Sequence, residues 1–378
     1  MEQENYRYKV RVSCITYNHA TYIENAMNGF CMQETSFPFV CTIVDDASID
    51  GEQEVIKDYM QKHFDLYDTS VSRNEETDDY FLTFAQHKTN KNCFFAVLFL
   101  KYNHYSINKP KKNYLKEWND SSKYIARCEG DDYWVCNAKL EEQVAFMEAN
   151  PDFSLCFGDV KYYNVDKNIS KGNISIISRN DNKRIEKYNG KQLFYRVLSG
   201  KVHIQTLTVL YRSELIGHIK KNTKRFAMGD TPLWLDLSQQ GKIKYIDHVY
   251  GVYNKHQGSA SHNPKTKFNF ALSMYEMRCY YCEKYGYSIP KSLKKKYNSA
   301  YKDLVVFSGE IMPSPLYGLF KLNPIQFKVD TLVTNNGLVK SLYKKLFPII
   351  KRKRVFFLKM KIMIKASVNF FSSKFEKK

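Results

Sequence analysis

The first 150 residues alternate between continuous apolar runs and amphipathic segments. The runs KVRVSCIT (9–16) and FVCTIV (39–44) are rich in β-branched residues, which predicts two strands, the second buried on both faces. The segments TYIENAMNGFCMQE (21–34) and EQEVIKDYMQKHF (52–64) follow these runs and show helical spacing. Strand, helix, strand, helix predicts a Rossmann-like half sheet. We therefore expect an α/β fold with a mixed, mostly parallel sheet flanked by helices.

The first predicted helix carries both a start signal and an apolar face. Ile23, Met27 and Phe30 recur at helical spacing. Thr21 and Glu24 stand at capping-box spacing just ahead of that face. This combination predicts a helix whose first turn is capped by Thr21.

Polar side chains stand where three predicted strands end. Ligands of open α/β sheets bind at the carboxyl ends of the strands. The polar groups at these ends are Thr16-Tyr17-Asn18, Asp45-Asp46 and the stretch CEGDDYW (128–134), which follows the strand-like run KYIAR. No G-x-G-x-x-G follows the first strand, so the sequence does not support a dinucleotide-dependent oxidoreductase.

Two of these strand ends are acidic. Crowded carboxylates repel and raise each other's pKa unless a cation neutralises them, so the clusters suggest acids that face a metal ion or sugar hydroxyls. The alternative for each is structural, because an Asp pair after a strand more often caps a helix or forms a turn. Either motif alone is weak support for a metal site.

The net charge of +19 is concentrated at the end of the chain. The segment 340–378 carries +12 of it, and the rest of the chain carries +7. Within residues 335–378, Leu338, Leu342 and Leu346 form a stripe flanked by lysines, and bulky apolar residues follow among further cations. Such a basic amphipathic tail predicts binding to an anionic membrane surface. The alternatives are a solvated basic helix or an RNA-binding arm.

Hydropathy and cysteine usage indicate the compartment. No apolar run approaches the roughly 20 residues needed to cross a bilayer, and the first residues are polar. Nine cysteines are scattered singly through apolar stretches, which suits free thiols in a reducing cytosol. The one close pair, Cys279 and Cys282, lies in a helical run, so core packing is favoured over metal binding.

Five ordered blocks between residues 8 and 262 resemble the family 2 glycosyltransferases of the bacterial surface-polysaccharide type. They are VSCITYN (12–18), TIVDDASIDG (42–51), YIARCEGDDYW (124–134) with the following KLEEQVAFMEANPDFSLCFGDV (139–160), MGDTPLWLDLSQQGKIKYI (228–246) and YGVYNKHQGSASH (250–262). The resemblance implies a GT-A domain over 1–262. A helical C-terminal region (263–334) and the basic tail (335–378) would follow.

The resemblance implies a nucleotide site at the first two strand ends. Thr16, Tyr17 and Asn18 match the segment that closes around the base, and Asp45 or Asp46 matches the acid that contacts base and ribose, with Asp46 preferred for the base. A carboxylate suits the imide N–H of uracil, which favours a UDP-sugar. In QHKTNKN (86–92), Lys88 or Asn90 would touch phosphate or ribose; a polar loop without contacts is the alternative.

Residues 129 to 132, EGDD, align with the family's D-x-D region. The resemblance implies that Asp132 or Asp131 binds Mn²⁺ or Mg²⁺ at the donor diphosphate, and that the other acid faces the ribose or the sugar. Glu129 stands where many relatives have Asp, which leaves its role open between sugar contact and support of the metal site. His256 matches a position that in some relatives reaches the metal or diphosphate. The alternative is that it belongs to a flexible flap.

The late helix MGDTPLWLDL offers the catalytic base. An inverting transferase needs a carboxylate that takes the proton of the acceptor hydroxyl, and the resemblance places Asp230 in that role. Without the family context, capping of the helix by Asp230 is the simpler interpretation. His203, Gln205 and Thr206 fall in a segment that resembles the acceptor side.

The sequence thus predicts a metal-dependent, inverting glycosyltransferase. We expect it in the cytoplasm, peripheral at the inner face of the cytoplasmic membrane, with a nucleotide-sugar donor and a glycan or polyprenyl-linked acceptor. A nucleic-acid-binding protein would explain the charge but not the acidic strand ends, which repel phosphate unless a metal is present. A catalytically degenerate GT-A protein and a sugar-phosphate nucleotidyltransferase remain alternatives, although the second would not need the late Gly-Asp helix.

Overall fold

The computed structural model of the protein describes residues 6–165, 169–171, 176–220, 222–256, 267–293 and 296. The chain divides into two compact units, Met1–Pro264 and Lys265–Lys378. No helix in the described ranges is long and apolar enough to cross a bilayer. The predicted basic tail, and with it the predicted membrane contact, lies outside the described residues.

The first unit is built around one sheet with helices on both sides. In chain order its elements are β1 (Tyr8–Thr16), α1 (Ile23–Cys31), β2 (Phe39–Asp45), α2 (Glu52–His63), β3 (Ser72–Glu76), β4 (Tyr80–Gln86), β5 (Cys93–Leu100), α3 (Lys116–Asp120), β6 (Ser122–Arg127), β7 (Tyr133–Trp134), α4 (Lys139–Ala149), β8 (Phe153–Asn164), β9 (Ile169–Lys171), α5 (Ile176–Lys183), α6 (Gly190–Ser199), β10 (Leu210–Arg212), α7 (Asp230–Leu237) and β11 (Lys242–Lys255). The second unit contains α8 (Lys267–Lys284).

The strand order confirms the predicted α/β class. The sheet runs β3-β4-β5-β2-β1-β6-β10-β8-β11-β7, with β9 paired to β8. Neighbours in the centre, β5-β2-β1-β6, are parallel, as are β8 and β11, while the remaining pairs are antiparallel. Because β1, β2 and β6 run in the same direction, their carboxyl ends meet at one edge of the sheet. We call it the carboxyl edge.

Apolar side chains on both faces of the central strands hold this sheet together. Every residue of β2 is buried, which explains its continuous apolar sequence. One face packs against α1, α2 and α4 through residues such as Phe30, Met60 and Met147. The other packs against α3 through Trp118, whose ring stacks on Phe84. The carboxyl edge is therefore fixed by a core on each side.

The start of α1 differs from the prediction. The helix begins at Ile23 after Tyr22, and no side chain of the described residues caps it. Instead, the backbone N–H groups of Tyr22 and Ile23 donate to the carbonyl oxygen of His19, at 2.8 and 2.9 Å. The predicted capping box of Thr21 and Glu24 is therefore wrong, because Tyr22, not Thr21, occupies the N-cap position.

The cysteines agree with the prediction of free thiols. None of the nine forms a disulfide, and seven of them are buried. Cys279 and Cys282 lie on α8 and are both buried, as expected for core packing. Burial raises the pKa of Cys14 and Cys128 well above the ordinary thiol value, which keeps these two protonated.

Candidate active site

The carboxyl edge brings the first strand end next to the EGDD segment. Thr16 pairs with Asp45 across β1 and β2, and the N–H of Gly130 faces the carbonyl oxygen of Ile15 at 3.4 Å. A Cβ atom at Gly130 would lie 2.1 Å from the hydroxyl oxygen of Thr16. Only glycine therefore lets the acidic segment lie against the end of β1.

The turn after β1 is locked to the turn after β2. Asn18 has a φ of 58°, a left-handed conformation that Asn tolerates better than most residues. Its backbone N–H donates to the Ser48 hydroxyl, and its side-chain oxygen accepts from the N–H of Ile49, both at 2.9 Å. Tyr17, between these anchors, is 42% exposed. Thr16, Tyr17 and Asn18 thus form a fixed rim with one aromatic side chain open to a ligand.

Asp46 is buried and fully engaged by protein donors. Its carboxylate accepts from the N–H of His104 at 2.8 Å, from the N–H of Tyr105 at 3.1 Å and from Lys111 Nζ at 2.9 Å. These three donors lie in the loop that follows β5. The side chain predicted to contact the base therefore organises a loop at the carboxyl edge.

Asp45 is also buried, but it is only partly hydrogen-bonded. Its Oδ1 accepts from the Ser48 N–H at 3.2 Å and from Gln53 Nε2 at 2.6 Å. Its Oδ2 is buried without a hydrogen-bond partner among the described residues. Asp45 therefore keeps acceptor capacity at the end of β2.

Glu52 is a buried acid that sequence reasoning missed. It begins α2, and its carboxylate accepts from the hydroxyls of Thr16 and Ser48 and from the N–H of His19. Burial raises the pKa of Glu52, while these hydrogen bonds lower it. The sequence shows Glu52 at the start of a predicted helix, but nothing in the sequence shows that its side chain contacts the turn after β1.

Asp131 faces two imidazoles. His256 Nε2 lies 3.1 Å from Asp131 Oδ2, and His19 Nε2 lies 4.0 Å from the same oxygen. Burial would raise the pKa of Asp131, but the hydrogen bond with His256 and the charges of both histidines together lower it. One ligand atom from each of the three residues lies within 4.8 Å of the other two. The structure thus brings the predicted Asp131 and His256 together and adds His19.

Asp132 is not a member of this cluster and accepts a backbone hydrogen bond instead. It is 3% exposed, and its Oδ1 accepts from the N–H of Asn254 at 2.8 Å. Burial, with the nearby charges of Asp131 and Glu129, raises the pKa of Asp132 well above its usual range. Of the two predicted metal ligands, Asp131 is therefore the one placed beside other ligand-type groups.

Glu129 is near enough to Asp131 and Asp230 for the charges of both to act on its carboxyl. Burial raises its pKa from 4.5 to about 7; Arg127 opposes this, and the charges of Asp131 and Asp230 add to it. Arg127, at the end of β6, also feels the charges of Glu129 and Asp230 and donates from Nε to the Tyr211 hydroxyl at 3.3 Å. A cation that sequence reasoning missed thus accompanies the acids.

Asp230 is the first residue of α7, as predicted. Its Oδ1 accepts from the N–H of Thr231 at 2.6 Å, and its Oδ2 accepts from the Thr206 hydroxyl at 3.3 Å. The residues just before Thr206 contact Tyr162. The Tyr162 hydroxyl accepts a hydrogen bond from Gln205 and lies 3.4 Å from His203 Nε2. Thr206 therefore contacts Asp230 directly, and Tyr162 connects Gln205 with His203. Their contact with the acceptor stays a prediction.

A depression of about 510 Å³ opens beside the start of α7. Its lining includes Tyr105, Lys224, Arg225, Gly229 and Pro232. The guanidinium of Arg225 lies 5.1 Å above the ring of Tyr105. The loop that Asp46 organises and the segment leading into Asp230 thus border one space.

Lys88 lies at the opposite edge of the sheet. β4 runs antiparallel to β5, so it ends beside the beginning of β5. There Lys88 Nζ donates to the carbonyl oxygens of Gln61 and Lys62 near the end of α2, at 2.9 and 2.8 Å. Asn90 Nδ2 donates to backbone carbonyls near the end of α1. The predicted contact of this segment with the nucleotide is corrected accordingly, because the reversal of β4 carries residues 86–92 away from Thr16 and Asp45.

The third strand-end segment is instead the loop after β5. Its residues 103–111 contact Asp46 through His104, Tyr105 and Lys111. The apolar run FFAVLFL (94–100) ahead of them reads as a buried strand, so the signal for a strand end was present in the sequence. What the sequence did not show is which of two neighbouring strands runs toward the site.

Comparison with known proteins identifies relatives over part of the chain. No protein-family model matches it. Uncharacterized protein Rv1520 of Mycobacterium tuberculosis (strain ATCC 25618 / H37Rv) and uncharacterized protein Mb1547 of Mycobacterium bovis are each 28% identical over 147 residues. The match covers 39% of this chain and 34% of each relative, so it spans about a third of the relatives' length.

Solved glycosyltransferase structures show a distant likeness. Staphylococcus aureus TarS 1–349 in complex with UDP is 17% identical, with a TM-score of 0.45 over 92% of this chain and 87% of that one. The mannosyltransferase PcManGT from Pyrobaculum calidifontis, in complex with GDP-Man and Mn²⁺, is 11% identical, with a TM-score of 0.44 over 91% and 85% of the two chains. At this level the likeness carries nothing about substrate or mechanism.

Proposed function

We propose that the protein is a glycosyltransferase that moves a sugar from a nucleotide-diphosphate sugar to an acceptor hydroxyl, with inversion at the anomeric carbon. The observation that carries this proposal is a group of neighbouring acids. Asp131 lies beside two histidines, Asp230 begins α7, and the charges of both act on the Glu129 carboxyl. A metal end at Asp131 and a base end at Asp230 suit sugar transfer from a diphosphate-linked donor.

The metal end fits the residues present. Asp131 and His256 would hold Mn²⁺ or Mg²⁺, because a carboxylate oxygen and an imidazole nitrogen face each other at 3.1 Å. A divalent cation there supplies Lewis-acid stabilisation of the leaving diphosphate. Asp132 would support this end through Asn254, whose side chain donates to the carbonyl oxygen of Asp131 at 2.6 Å.

We assign the nucleotide end to Thr16, Tyr17, Asn18, Asp45 and Asp46. The exposed ring of Tyr17 offers a surface on which a base can stack. The acids suit the imide N–H of uracil, so a UDP-sugar is favoured over a GDP-sugar. Because Asp46 already accepts from three protein donors, its first contribution is to place the Tyr105 loop beside the donor.

We assign proton removal to Asp230. As the acceptor oxygen bonds to the anomeric carbon, its proton passes to the Asp230 carboxylate, and the bond between the sugar and the diphosphate breaks on the opposite side. The contacts of Thr206 and Thr231 hold this carboxylate at the start of α7. The adjacent 510 Å³ depression has the volume of an ordinary ligand site and gives the substrate room.

The experiment that tests this function measures release of nucleoside diphosphate from a panel of sugar nucleotides, with and without Mn²⁺. We expect one UDP-sugar to be turned over with metal present. Asp230→Ala should bind that donor as the natural protein does but lose at least about 100-fold in turnover. Asp58→Ala, on the exposed face of α2, is the matched control and should keep full activity. Normal turnover in Asp230→Ala would refute the base assignment.

The acceptor proposal rests on the resemblance and on the basic tail. We propose a glycan or polyprenyl-linked acceptor of a surface-polysaccharide pathway, reached from the inner face of the cytoplasmic membrane. Deleting residues 338–378 should release the protein from liposomes that contain anionic lipid. Unchanged sedimentation of the shortened chain with those liposomes would contradict the membrane part of the proposal and leave the transfer reaction untouched.

A further inference from the structure

His19 is held rigidly with one ring nitrogen directed at Asp131. Its backbone N–H donates to Glu52 at 3.0 Å, and the next N–H, of Ala20, donates to Asp50 at 2.9 Å. On the ring, Nδ1 lies 3.1 Å from the Thr16 hydroxyl oxygen, while Nε2 points toward Asp131. The side chain is 19% exposed. These backbone and ring contacts fix the orientation of the imidazole, so Nε2 is held toward the Asp131 carboxylate.

The hydrogen bonds of Thr16 decide which ring nitrogen carries the proton. A hydroxyl has one hydrogen, and that of Thr16 is donated to Glu52. Thr16 can therefore only accept from His19, which places the proton of the neutral ring on Nδ1. The lone pair of Nε2 then faces the Asp131 carboxylate. A lone pair directed at a carboxylate is unfavourable unless a cation lies between them or the ring is protonated.

His256 approaches the same carboxylate oxygen from another direction. Its ring stacks on Tyr22 at 5.2 Å and meets the His19 ring edge-on at 6.1 Å. The Nε2 atoms of both histidines thus converge on Asp131 Oδ2. Ligands at adjacent positions of an octahedral cation with bonds of about 2.1 Å lie about 3 Å apart. The His256 to Asp131 distance of 3.1 Å meets this spacing, and the His19 distance of 4.0 Å is near the value of about 4.2 Å that separates opposite ligands of the same cation.

We propose that His19 is a third protein ligand, so that His19, Asp131 and His256 form a two-histidine, one-carboxylate metal site. Imidazole nitrogen binds Mn²⁺ and other transition metals well, whereas Mg²⁺ prefers oxygen ligands and retains its water. The site therefore selects Mn²⁺ over Mg²⁺. Because the Thr16 hydroxyl fixes the ring, this selection is built into the turn after β1. The inference deepens the proposed function and rests on it.

The test measures metal binding directly on the full chain, without donor or acceptor. Mn²⁺ is titrated into the protein while the electron paramagnetic resonance signal of the free ion is followed, and Mg²⁺ binding is measured by competition. We expect Mn²⁺ to bind at least about tenfold more tightly than Mg²⁺. We expect His19→Ala to weaken Mn²⁺ binding at least about tenfold, with little effect on Mg²⁺.

A matched histidine and a spectroscopic probe control the test. His218→Ala removes an exposed histidine from the short helical turn Glu214–His218 and should leave Mn²⁺ binding unchanged. His19→Gln keeps a side chain of similar length if His19→Ala alters the thermal unfolding of the protein. With Co²⁺ as the probe, the visible bands of the natural protein should change in both His19 variants, because one nitrogen ligand is lost.

The outcomes separate this inference from the proposed function. Equal Mn²⁺ affinity in the natural protein and both His19 variants, or no preference for Mn²⁺ over Mg²⁺, would overturn the inference and show a hydrogen-bonded cluster alone. Tight binding of Mn²⁺ through His19 without turnover of any sugar nucleotide would leave the inference standing and count against glycosyl transfer. Turnover that needs Mn²⁺ but does not depend on His19 would support glycosyl transfer and count against His19 as a metal ligand.

Discussion

Two pairs of adjacent aspartates end two parallel strands of the same sheet, and the protein uses them differently. Asp45 and Asp46 close β2, and both are buried and accept hydrogen bonds from neighbouring protein groups. In the second pair, after β6, only Asp132 is buried against a backbone N–H. Its neighbour Asp131 faces imidazoles.

The difference predicts that two adjacent aspartates do not act as one functional unit. A carboxylate that accepts from several protein donors fixes the position of those donors, as Asp46 does for the loop after β5. A carboxylate whose neighbours are ligand-type side chains is placed to bind a cation, as Asp131 is. The number of hydrogen-bond donors around each carboxylate therefore distinguishes an aspartate that positions a loop from one that is available to a cation. The presence of two adjacent aspartates in the sequence does not.

The sharpest way to break the comparison is to neutralise each member of the second pair. Asp131→Asn should reduce turnover of the sugar nucleotide about 100-fold or more, because it removes the charge of the proposed metal ligand. Asp132→Asn keeps an oxygen for the N–H of Asn254 and should cost less than about tenfold. Steady-state kinetics at saturating Mn²⁺ measures both. Equal losses would show that the pair acts as a unit after all.

The next test removes the anchor of the first pair. Asp46→Ala should lower the free energy of unfolding by about 3 kcal/mol, since it leaves the partly buried ammonium of Lys111 and two backbone N–H groups without their acceptor. Asp131→Ala is the matched variant and should cost about 1 kcal/mol or less. Urea unfolding of both variants, without added metal, makes the measurement. A larger loss in Asp131→Ala would reverse the assignment of anchor and ligand.

Sequence reasoning recovered what depends on local pattern. The apolar run of β2 and the helical spacing of α2 predicted the α/β class, because both patterns report burial directly. The start of α7 at Asp230 was implied by the family resemblance, and the apolar residues that follow it agree with a helix. The strand and helix patterns are set by neighbours in the chain, so the sequence is enough to find them.

The features that escaped depend on strand direction and on distant partners. Because β4 runs antiparallel to β5, Lys88 lies at the edge opposite the carboxyl edge. No residue near Lys88 indicates the direction of that strand. His19 looks like an ordinary turn residue until β6 brings Asp131 to it across more than 100 positions of sequence. The different environments of Asp131 and Asp132 likewise arise from Asn254 and His256, more than 120 positions further along the chain.

A third test uses pH to probe the acid beside the second pair. With its pKa raised to about 7, Glu129 in the folded protein holds a proton that the unfolded chain releases above pH 4.5. Its contribution to stability is therefore present below pH 4.5 and is lost as the pH rises through 7. Relative to Glu129→Gln, the metal-free natural protein should lose about 2 kcal/mol of unfolding free energy between pH 5 and pH 8. A constant gap between the two proteins across that range would show that Glu129 ionises as an exposed acid does.

The smallest expected effect belongs to the lysine at the other edge of the sheet. Lys88 donates to carbonyls near the end of α2, so Lys88→Ala should lower the free energy of unfolding by less than about 1 kcal/mol. Because β4 carries it away from the carboxyl edge, the affinity for UDP, measured by calorimetry with Mn²⁺, should not change. Lys111→Ala is the matched variant, since it leaves the buried Asp46 without its cation and should weaken UDP binding severalfold. Weaker UDP binding in Lys88→Ala but not in Lys111→Ala would mean that the nucleotide lies at the edge opposite both acidic pairs.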